Sequence, residues 1–351
     1  DYLIVGSGLF GTTMAYLLHQ KGYKCLVIDK RSHIGGNVYT ESVNGINVHK
    51  YGAHIFHTSD RRVWEFVNSL VEFNRYTNSP VANYKGKLYN LPFNMNTFYQ
   101  MWGVTTPEEA KEMIEKQRRE SGILSPKNLE EQAISLIGKD IYYTLIKDYT
   151  EKQWGQEATM LPAFILKRLP LRFTFNNNYF EDFYQGIPIG GYNSLFVNAF
   201  RTCELMLDTD FIQNRDLSKL AETVIFTGMI DEYYDYCCGV LEYRSLCFET
   251  ETIYMEDFQS SVVVNYTERE VPYTRIIEHK HFEGKCTPNT IITKEYPQEW
   301  HKGREPYYPV NTKRNESIYK EYKMRSILDQ NVFFAGRLGT YRYMNMDQII
   351  K

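Results

Sequence analysis

The stretch Tyr2-Leu-Ile-Val-Gly-Ser-Gly-Leu-Phe-Gly11 decides the fold of this 351-residue chain. It joins a short apolar run, which predicts a buried strand, to a Gly-x-Gly-x-x-Gly turn and the start of a helix. A second apolar run, Cys25–Ile28, ends at Asp29, and Gly35-Gly-Asn37 follows. In this order the elements predict a βαβ unit that binds the ADP half of a dinucleotide. A glycine-rich turn that binds nothing is the alternative, which this context disfavours.

Each part of the signature has a physical role. Gly6 permits the tight turn, Gly8 lets the backbone approach a pyrophosphate, and Gly11 lets the helix pack closely on the strand. The free N–H groups at the helix N-terminus suit the negative charge of phosphate. We expect Asp29 to accept hydrogen bonds from a ribose diol.

The composition is that of an ordinary globular enzyme, with 43% hydrophobic and 24% charged residues. A formal net charge of −3 gives no indication of nucleic acid or an anionic membrane as a partner, and no apolar run approaches a membrane span. The six cysteines lack metal-ligand spacing, which favours reduced thiols and a cytoplasmic location. The chain starts without methionine and ends where a helix is beginning, so we expect both natural termini to lie further out.

Strand and helix patterns alternate at both ends of the chain and separate in its middle. A buried strand is predicted at Val332-Phe-Phe-Ala-Gly336. The predicted fold class is α/β. The length is that of about two domains, and the chain is predicted to pass between its domains more than once. It consists of a Rossmann-like FAD-binding domain (1–75, 187–230 and 325–351), an inserted helical-bundle domain (96–168) and an antiparallel β-sheet domain (76–95, 169–186 and 231–324).

Two features favour FAD over NAD as the dinucleotide. The Gly35-Gly36 pair supplies a second close backbone approach, which a flavin pyrophosphate and ribityl chain require. The predicted strand ending at Gly336 is followed by Arg337, and in two-part flavoproteins such a strand returns to the cofactor.

Several longer motifs are spread in order over nearly the whole chain. They are Val5-Gly-Ser-Gly-Leu-Phe-Gly11, Ile34-Gly-Gly-Asn37, Tyr51-Gly-Ala-His-Ile-Phe-His-Thr58, Tyr149-Thr-Glu-Lys-Gln-Trp-Gly155, Leu166-Lys-Arg-Leu-Pro-Leu-Arg-Phe173, Val271-Pro-Tyr-Thr-Arg-Ile-Ile-Glu-His-Lys280, Glu305-Pro-Tyr-Tyr-Pro-Val310 and Gly336-Arg-Leu-Gly-Thr-Tyr-Arg-Tyr343. Together they resemble the bacterial UDP-galactopyranose mutases.

The resemblance implies an isomerase that interconverts UDP-galactopyranose and UDP-galactofuranose, the precursor of galactofuranose in cell-surface polysaccharides. It implies FAD that is active when reduced, with flavin N5 displacing UDP from the anomeric carbon and no net redox change. It further implies UDP as a ligand, and a homodimer. An FAD-dependent oxidoreductase of the amine-oxidase type, on the same scaffold, is the alternative. A nucleotide-sugar-binding relative without catalysis is a third possibility.

The resemblance also implies the residues of the substrate site. Arg168 and Arg275 match arginines that hold the substrate diphosphate, since planar guanidinium groups pair well with its oxygens. Surface arginines paired with acids are the alternative for both. Trp154 is expected to pack against the sugar, with core packing as its alternative. The other implied substrate contacts are Asn78, Thr150, Tyr179, Arg244, Tyr308 and Tyr343, with a one-position shift to Tyr307 left open.

The implied catalytic residues are Arg168, Arg275, His57 and Arg337, the last placed where a cation favours the anionic reduced flavin. The implied cofactor-binding residues are Gly6, Gly8, Leu9, Phe10, Gly11, Asp29, Lys30, Gly36, Asn37, His54, Ile55, Gly336, Arg337, Tyr343, Met344 and Asn345, and no metal is expected.

Two positions depart from the family pattern. Asn345 stands where the family usually has an aspartate, so hydrogen bonding can survive while a charge is lost. Leu145-Ile146 replaces aromatics found in some members, so we expect weaker uracil stacking there, with Tyr149 compensating.

Overall fold

The computed structural model describes residues 1–163 and 171–351, and their contacts divide the chain into two compact units. Unit 1 comprises Asp1–Tyr76, Asp182–Ser245 and Trp300–Lys351, and unit 2 comprises Thr77–Glu181 and Leu246–Glu299. The three-domain division stays a prediction. Residues 231–245 and 300–324, assigned from sequence to the sheet domain, pack in unit 1.

The strands, numbered in chain order, are β1 (Tyr2–Val5), β2 (Cys25–Ile28), β3 (Thr40–Val43), β4 (Ile46–His49), β5 (Phe56–Thr58), β6 (Val81–Tyr84), β7 (Lys87–Asn90), β8 (Tyr184–Gly186), β9 (Glu204–Met206), β10 (Thr223–Phe226), β11 (Tyr243–Ile253), β12 (Val263–Tyr266), β13 (Arg275–Glu278), β14 (Thr290–Glu299), β15 (Tyr308–Pro309) and β16 (Val332–Phe334).

The α-helices are α1 (Leu9–Gln20), α2 (Arg61–Leu70), α3 (Met95–Trp102), α4 (Pro107–Ser121), α5 (Leu129–Ile137), α6 (Lys139–Ile141), α7 (Lys147–Trp154), α8 (Asn193–Ala199), α9 (Ile230–Tyr233), α10 (Lys313–Ser326), α11 (Gly336–Gly339) and α12 (Met346–Ile350). A π-helical turn covers Tyr142–Ile146, and short 3₁₀ helices cover Gly36–Val38, Arg215–Leu220 and His279–Phe282.

Unit 1 is built on a parallel sheet with the strand order β16-β10-β1-β2-β9. Ile4 of β1 pairs with Val27 of β2 on one side and with Ile225 of β10 on the other, and all three are buried. Helix α1 follows the glycine turn and packs its small residues on this core. The predicted βαβ unit is therefore confirmed.

The expectation of a fully buried strand near residue 333 is wrong. β16 pairs with β10 on one side and lies at the edge of the parallel sheet. Phe333 is 58% exposed as a result. An apolar run fixes a strand, but its burial depends on what covers it.

Unit 2 combines helices with a sheet that runs β11-β14-β13-β12-β6-β7. The pairs β12–β13, β13–β14 and β6–β7 are antiparallel as predicted, whereas β6 pairs with β12 in parallel. Ala82 and Tyr89 of the β6–β7 hairpin are buried together with Phe98 and Ile134 of the helical segment. This shared core explains why helices and sheet form one unit.

The helix starts follow from local signals. Asp60 caps α2 by accepting a hydrogen bond from the N–H of Arg62, and Thr106 with Glu109 forms a capping box on α4. Within the described residues, no helix combines the length and the apolar character needed to cross a membrane.

Candidate functional site

A pocket opens in unit 1 at the carboxyl ends of β1, β2 and β10, the position where parallel sheets bind ligands. Ile55, Tyr343, Met344 and Asn345 are not among the residues that line it. The predicted cofactor-binding residues on its wall are Gly6, Gly8, Leu9, Phe10, Gly11, Asp29, Lys30, Gly36, Asn37, His54, Gly336 and Arg337.

Two glycines of the pocket have no room for a side chain. A Cβ on Gly11 would lie 1.9 Å from the carbonyl oxygen of Gly6, so α1 can approach β1 only with glycine there. Gly36 has φ +54°, and its Cβ would lie 3.0 Å from the Cα of Gly8. The two glycine turns therefore face each other and leave bare backbone along the pocket.

The Asp29 carboxylate binds the glycine turn itself. Its Oδ2 accepts hydrogen bonds from Ser7 N and Ser7 Oγ, both at 2.7 Å, and its Oδ1 accepts one from Arg31 N at 2.9 Å. Asp29 thus fixes the turn to the end of β2. The expected hydrogen bonds from a ribose to Asp29 stay a prediction. They would use the carboxylate lone pairs that are not taken by Ser7 and Arg31.

Arg31 and Glu305 form an ion pair on the pocket wall. Arg31 Nη2 lies 3.0 Å from Glu305 Oε2, and Lys30 Nζ lies 2.6 Å from Glu305 Oε1. Burial raises the pKa of Glu305, but the charges of Lys30 and Arg31 outweigh it and hold that pKa below its usual range. Arg31 Nη1 is buried without a hydrogen-bond partner in the described part of the chain.

Arg337 is a third cation on this wall. Its Nη2 donates to the carbonyl of Met344 at 2.8 Å, and its guanidinium carbon lies 4.9 Å from the ring centre of Tyr343. Its Nε is buried and has no partner among the described residues. Arginine side chains on a pocket wall suit an anionic ligand.

The two predicted histidines have different surroundings. His54 Nδ1 lies 2.8 Å from the carbonyl of Gly52, so it must carry the proton and Nε2 must be an acceptor. Burial lowers the pKa of His54 to about 4, so the ring is neutral at pH 7. His57 Nδ1 lies 2.6 Å from Asp182 Oδ2, and His57 does not line the pocket.

Arg244, Tyr308 and Tyr343 also lie in unit 1. Arg244 of β11 stands opposite Tyr308 of β15 in their antiparallel ladder, so both side chains point to the same face. The rings of Tyr308 and Tyr343 are 5.9 Å apart, and Arg337 lies within 6.0 Å of the Tyr308 ring centre. The structure therefore brings together four predicted residues from three separate segments of the chain.

Arg275 lies in unit 2 at the start of β13. Its Nη2 donates to Tyr149 Oη at 2.7 Å, and its Nε lies 3.3 Å from Glu295 Oε1. The alternative, an arginine paired with an acid, therefore holds in part, because the Glu295 carboxylate lies next to the guanidinium. Burial raises the pKa of Tyr149 despite the nearby Arg275, so the hydroxyl keeps its proton at pH 7.

The other predicted substrate residues of unit 2 fall in two places. Asn78 and Tyr179 are joined by a 2.8 Å hydrogen bond from Tyr179 N to the Asn78 carbonyl. Thr150 and Trp154 are on α7, and Trp154 packs in part against the unit 2 core, as its alternative anticipated. Arg168 lies outside the described residues.

Both departures from the family pattern acquire a structural context. Leu145 is 4% exposed in the unit 2 core, within the π-helical turn, and so is not available for stacking. Asn345 is the N-cap of α12, and its N–H donates to Gln348 Oε1 at 2.9 Å. Asn and Asp are comparable N-caps, so this substitution preserves the helix start.

Sequence reasoning missed the partners of the predicted residues. Glu305, Asp182 and Glu295 were not selected, because each meets its partner through tertiary contacts. Glu305 had one available signal, its place at the head of the Glu-Pro-Tyr-Tyr-Pro motif.

Known proteins similar to the chain are consistent with these features. The family described as UDP-galactopyranose mutase matches residues 144–343, and that described as NAD(P)-binding Rossmann-like domain matches residues 4–70. The chain is 41% identical to a dTDP-fucopyranose mutase of Escherichia coli, covering 99% of this chain and 95% of the relative. It is 38% identical to a probable UDP-galactopyranose mutase of Klebsiella pneumoniae, covering 100% and 92%.

The fold is similar to that of a crystal structure of reduced UDP-galactopyranose mutase. The TM-score is 0.73 with 14% sequence identity, covering 100% of this chain and 93% of that one. At this identity the match concerns the fold alone.

Proposed function

The chain belongs to the UDP-galactopyranose mutase family, and on this premise we propose that it interconverts UDP-galactopyranose and UDP-galactofuranose with FAD as its cofactor. The observation that carries the cofactor proposal is the pocket of unit 1. It places two arginines, Arg31 and Arg337, on the same wall as two facing glycine turns.

A dinucleotide with a long anionic linker fits these features. The glycine turns let a pyrophosphate approach the backbone, and the N-terminus of α1 adds free N–H groups. Arg337 follows β16 and is remote in sequence from the first βα turn, yet lines the same pocket. A ligand that reaches both needs a second half beyond ADP, which favours FAD over a cofactor held by the first turn alone.

When bound and reduced, FAD would supply the nucleophile for the anomeric carbon. The residues of the chain would bind and orient. Arg337 would place a positive charge beside the cofactor, and neutral His54 would offer Nε2 as a hydrogen-bond acceptor toward the pocket. Asp182 would keep His57 in one orientation.

Arg275 would bind the diphosphate, which leaves and returns during the isomerisation. Tyr149 accepts a hydrogen bond from its guanidinium, and the Glu295 carboxylate lies beside its Nε, so both hold the group in place. A preorganised cation stabilises the charge that develops on a departing diphosphate. Arg168, Trp154, Thr150, Asn78 and Tyr179 would complete the substrate site, as the resemblance implies.

A specific observation favours a second candidate substrate. The relative from Escherichia coli at 41% identity is a dTDP-fucopyranose mutase, slightly closer than the Klebsiella relative at 38%. Both substrates share a diphosphate and a ring that contracts, whereas dTDP-fucose differs in the base, the ribose and the sugar C6. The two activities would need the same chemistry.

The test is to incubate dithionite-reduced protein with UDP-galactofuranose or dTDP-fucofuranose and to separate the products by chromatography. Conversion of the first to its pyranose, only under reducing conditions, supports the proposal. Preferred conversion of the second transfers the proposal to dTDP-fucose, and substrate oxidation supports the oxidoreductase alternative. Binding of UDP without conversion supports a non-catalytic relative.

The homodimer and the cytoplasmic location stay predictions that rest on the resemblance and on cysteine usage. Light scattering of the FAD-loaded protein tests the first.

A further inference from the structure

The ammonium group of Lys152 donates hydrogen bonds to four backbone carbonyl oxygens. The distances from Nζ are 2.7 Å to Tyr266, 2.9 Å to Glu268, 2.9 Å to Val271 and 3.0 Å to Tyr273. Tyr266 is the last residue of β12, the other three carbonyls belong to the connection from β12 to β13, and all these residues lie in unit 2. An ammonium has three protons, so at least one is shared between two carbonyls.

This arrangement is not an ordinary surface ion pair. Among the described residues, no carboxylate lies within 4.0 Å of Lys152 Nζ. Burial lowers the pKa of Lys152 to about 8, so the group is still charged at pH 7. The carbonyl dipoles therefore replace the water that would otherwise solvate the ammonium group. The ammonium in turn holds the four carbonyl oxygens around one point.

The clamped turn leads directly into Arg275. Tyr273, whose carbonyl accepts from Lys152, precedes Arg275 by two residues, and Thr274 N donates to the Glu295 carbonyl at 2.9 Å. Tyr149 stands three residues before Lys152 on α7, on the same helix face, and accepts from Arg275. Helix α7 thus holds the start of β13 at two points, one through the backbone and one through the guanidinium.

We propose that Lys152 is a positioning residue for substrate binding: it fixes the β12–β13 turn and thereby holds Arg275 where the diphosphate binds. The inference rests on the proposed function, which gives Arg275 its ligand. A lysine that only stabilised unit 2 would leave the affinity of the folded protein for UDP unchanged.

The test compares Lys152→Met with Lys147→Met, a lysine on the same helix whose Nζ lies 5.8 Å from the ring centre of Tyr143 and which touches no carbonyl of the turn. UDP affinity is measured by calorimetry on the FAD-loaded protein. We expect the Kd for UDP to rise about tenfold in K152M and by less than about twofold in K147M, with the FAD content unchanged in both. Hydrogen exchange should rise in the peptide covering 266–275 in K152M alone.

A double-mutant cycle separates positioning from general damage. If Lys152 acts through Arg275, K152M should change UDP affinity by less than about twofold in an Arg275→Ala background. An equal loss in both backgrounds, or unchanged UDP binding in folded K152M, overturns the proposal.

Lys152→Arg covers the case in which K152M does not fold. It keeps the charge and several donors, so we expect UDP affinity within about threefold of the parent protein. A folded K152R that loses as much affinity as R275A would contradict the positioning role. If the parent protein itself binds no UDP, the proposed function fails, while hydrogen exchange at 266–275 still tests the clamp.

Discussion

Asp182 accepts a 2.6 Å hydrogen bond from Nδ1 of His57 through Oδ2, while its Oδ1 accepts one of 2.5 Å from Ser59 Oγ. The two residues meet because β5 pairs with β8 in an antiparallel ladder. Burial raises the pKa of Asp182, but the hydrogen bonds from Ser59 and His57 outweigh it, so that pKa lies below its usual value. The carboxylate therefore fixes the proton of His57 on Nδ1.

Asp182→Asn tests the importance of this pair. An asparagine can present its NH₂ to the ring, which favours the opposite tautomer and misorients His57. We expect the mutase rate of the reduced protein to fall by about 10- to 100-fold, with FAD content unchanged. Ser59→Ala, which leaves the Asp182–His57 contact in place, serves as the control with a loss of under about threefold. A D182N protein with the parent rate would show that His57 needs no such support.

Buried histidines should make stability fall in mild acid. Burial lowers the pKa of His279 to about 3 and that of His54 to about 4, against 6.5 for the unperturbed side chain. Below pH 6.5 the unfolded chain binds protons that the folded chain does not, so the free energy of unfolding decreases as the pH falls towards these folded values. Each histidine contributes a loss of about 2 kcal/mol between pH 7 and pH 5.

His279→Gln checks this pH dependence by urea unfolding at pH 7 and pH 5. Glutamine keeps a donor near Thr293, which lies 2.7 Å from His279 Nε2. We expect the stability difference between the two pH values to shrink by about 2 kcal/mol. Exposed His301 provides the control, and H301Q should retain the parent difference. A parent-like difference in H279Q would contradict the prediction.

Gly36→Ala should weaken FAD binding. The new Cβ would lie 3.0 Å from the Cα of Gly8, so one glycine turn must move away from the other. We expect Kd for FAD to rise about tenfold or more, measured by flavin fluorescence on titrating apoprotein. Gly45→Ala is the control. Gly45 also has a positive φ, +78°, but its new Cβ would meet no atom within 4 Å, so this variant should retain FAD. Equal FAD retention by both variants would refute the facing-turn model.

Arg337→Met should make the flavin harder to reduce. A cation beside the flavin favours the anionic reduced form, so its removal should shift the two-electron potential by about −30 mV or more. Arg337→Lys keeps the charge and should shift it less. Exposed Arg342, which does not line the pocket, is the control position. A more positive potential in R337M would be incompatible with the proposed placement.

Local signals in the sequence predicted much of the fold. The strand, glycine turn and helix of the first βα unit have the predicted type and place, and the start of α2 after Asp60 and the β6–β7 hairpin follow equally local signals. Such signals act within a few residues, through side-chain period, capping and glycine conformation, so they need no knowledge of the rest of the chain.

How the middle of the chain divides into compact units was harder to predict from the sequence. Helices and strands of unit 2 share a core that joins Ala82 to Ile134, and no pattern within either segment encodes that contact. The exposure of Phe333 likewise depends on the position of β16 at the sheet edge, which strand composition does not determine.

The sequence by itself determined that β1, α1 and β2 form a βαβ unit of the dinucleotide-binding type, because Gly6, Gly8, Gly11 and Asp29 lie on one unit whose geometry is local. Only the tertiary structure decided which groups hold the side chains of the proposed site: Asp182 on His57, Glu305 on Arg31, and Lys152 on the turn before Arg275. These pairs join residues more than a hundred positions apart, and their contacts exist only once sheets and helices have packed.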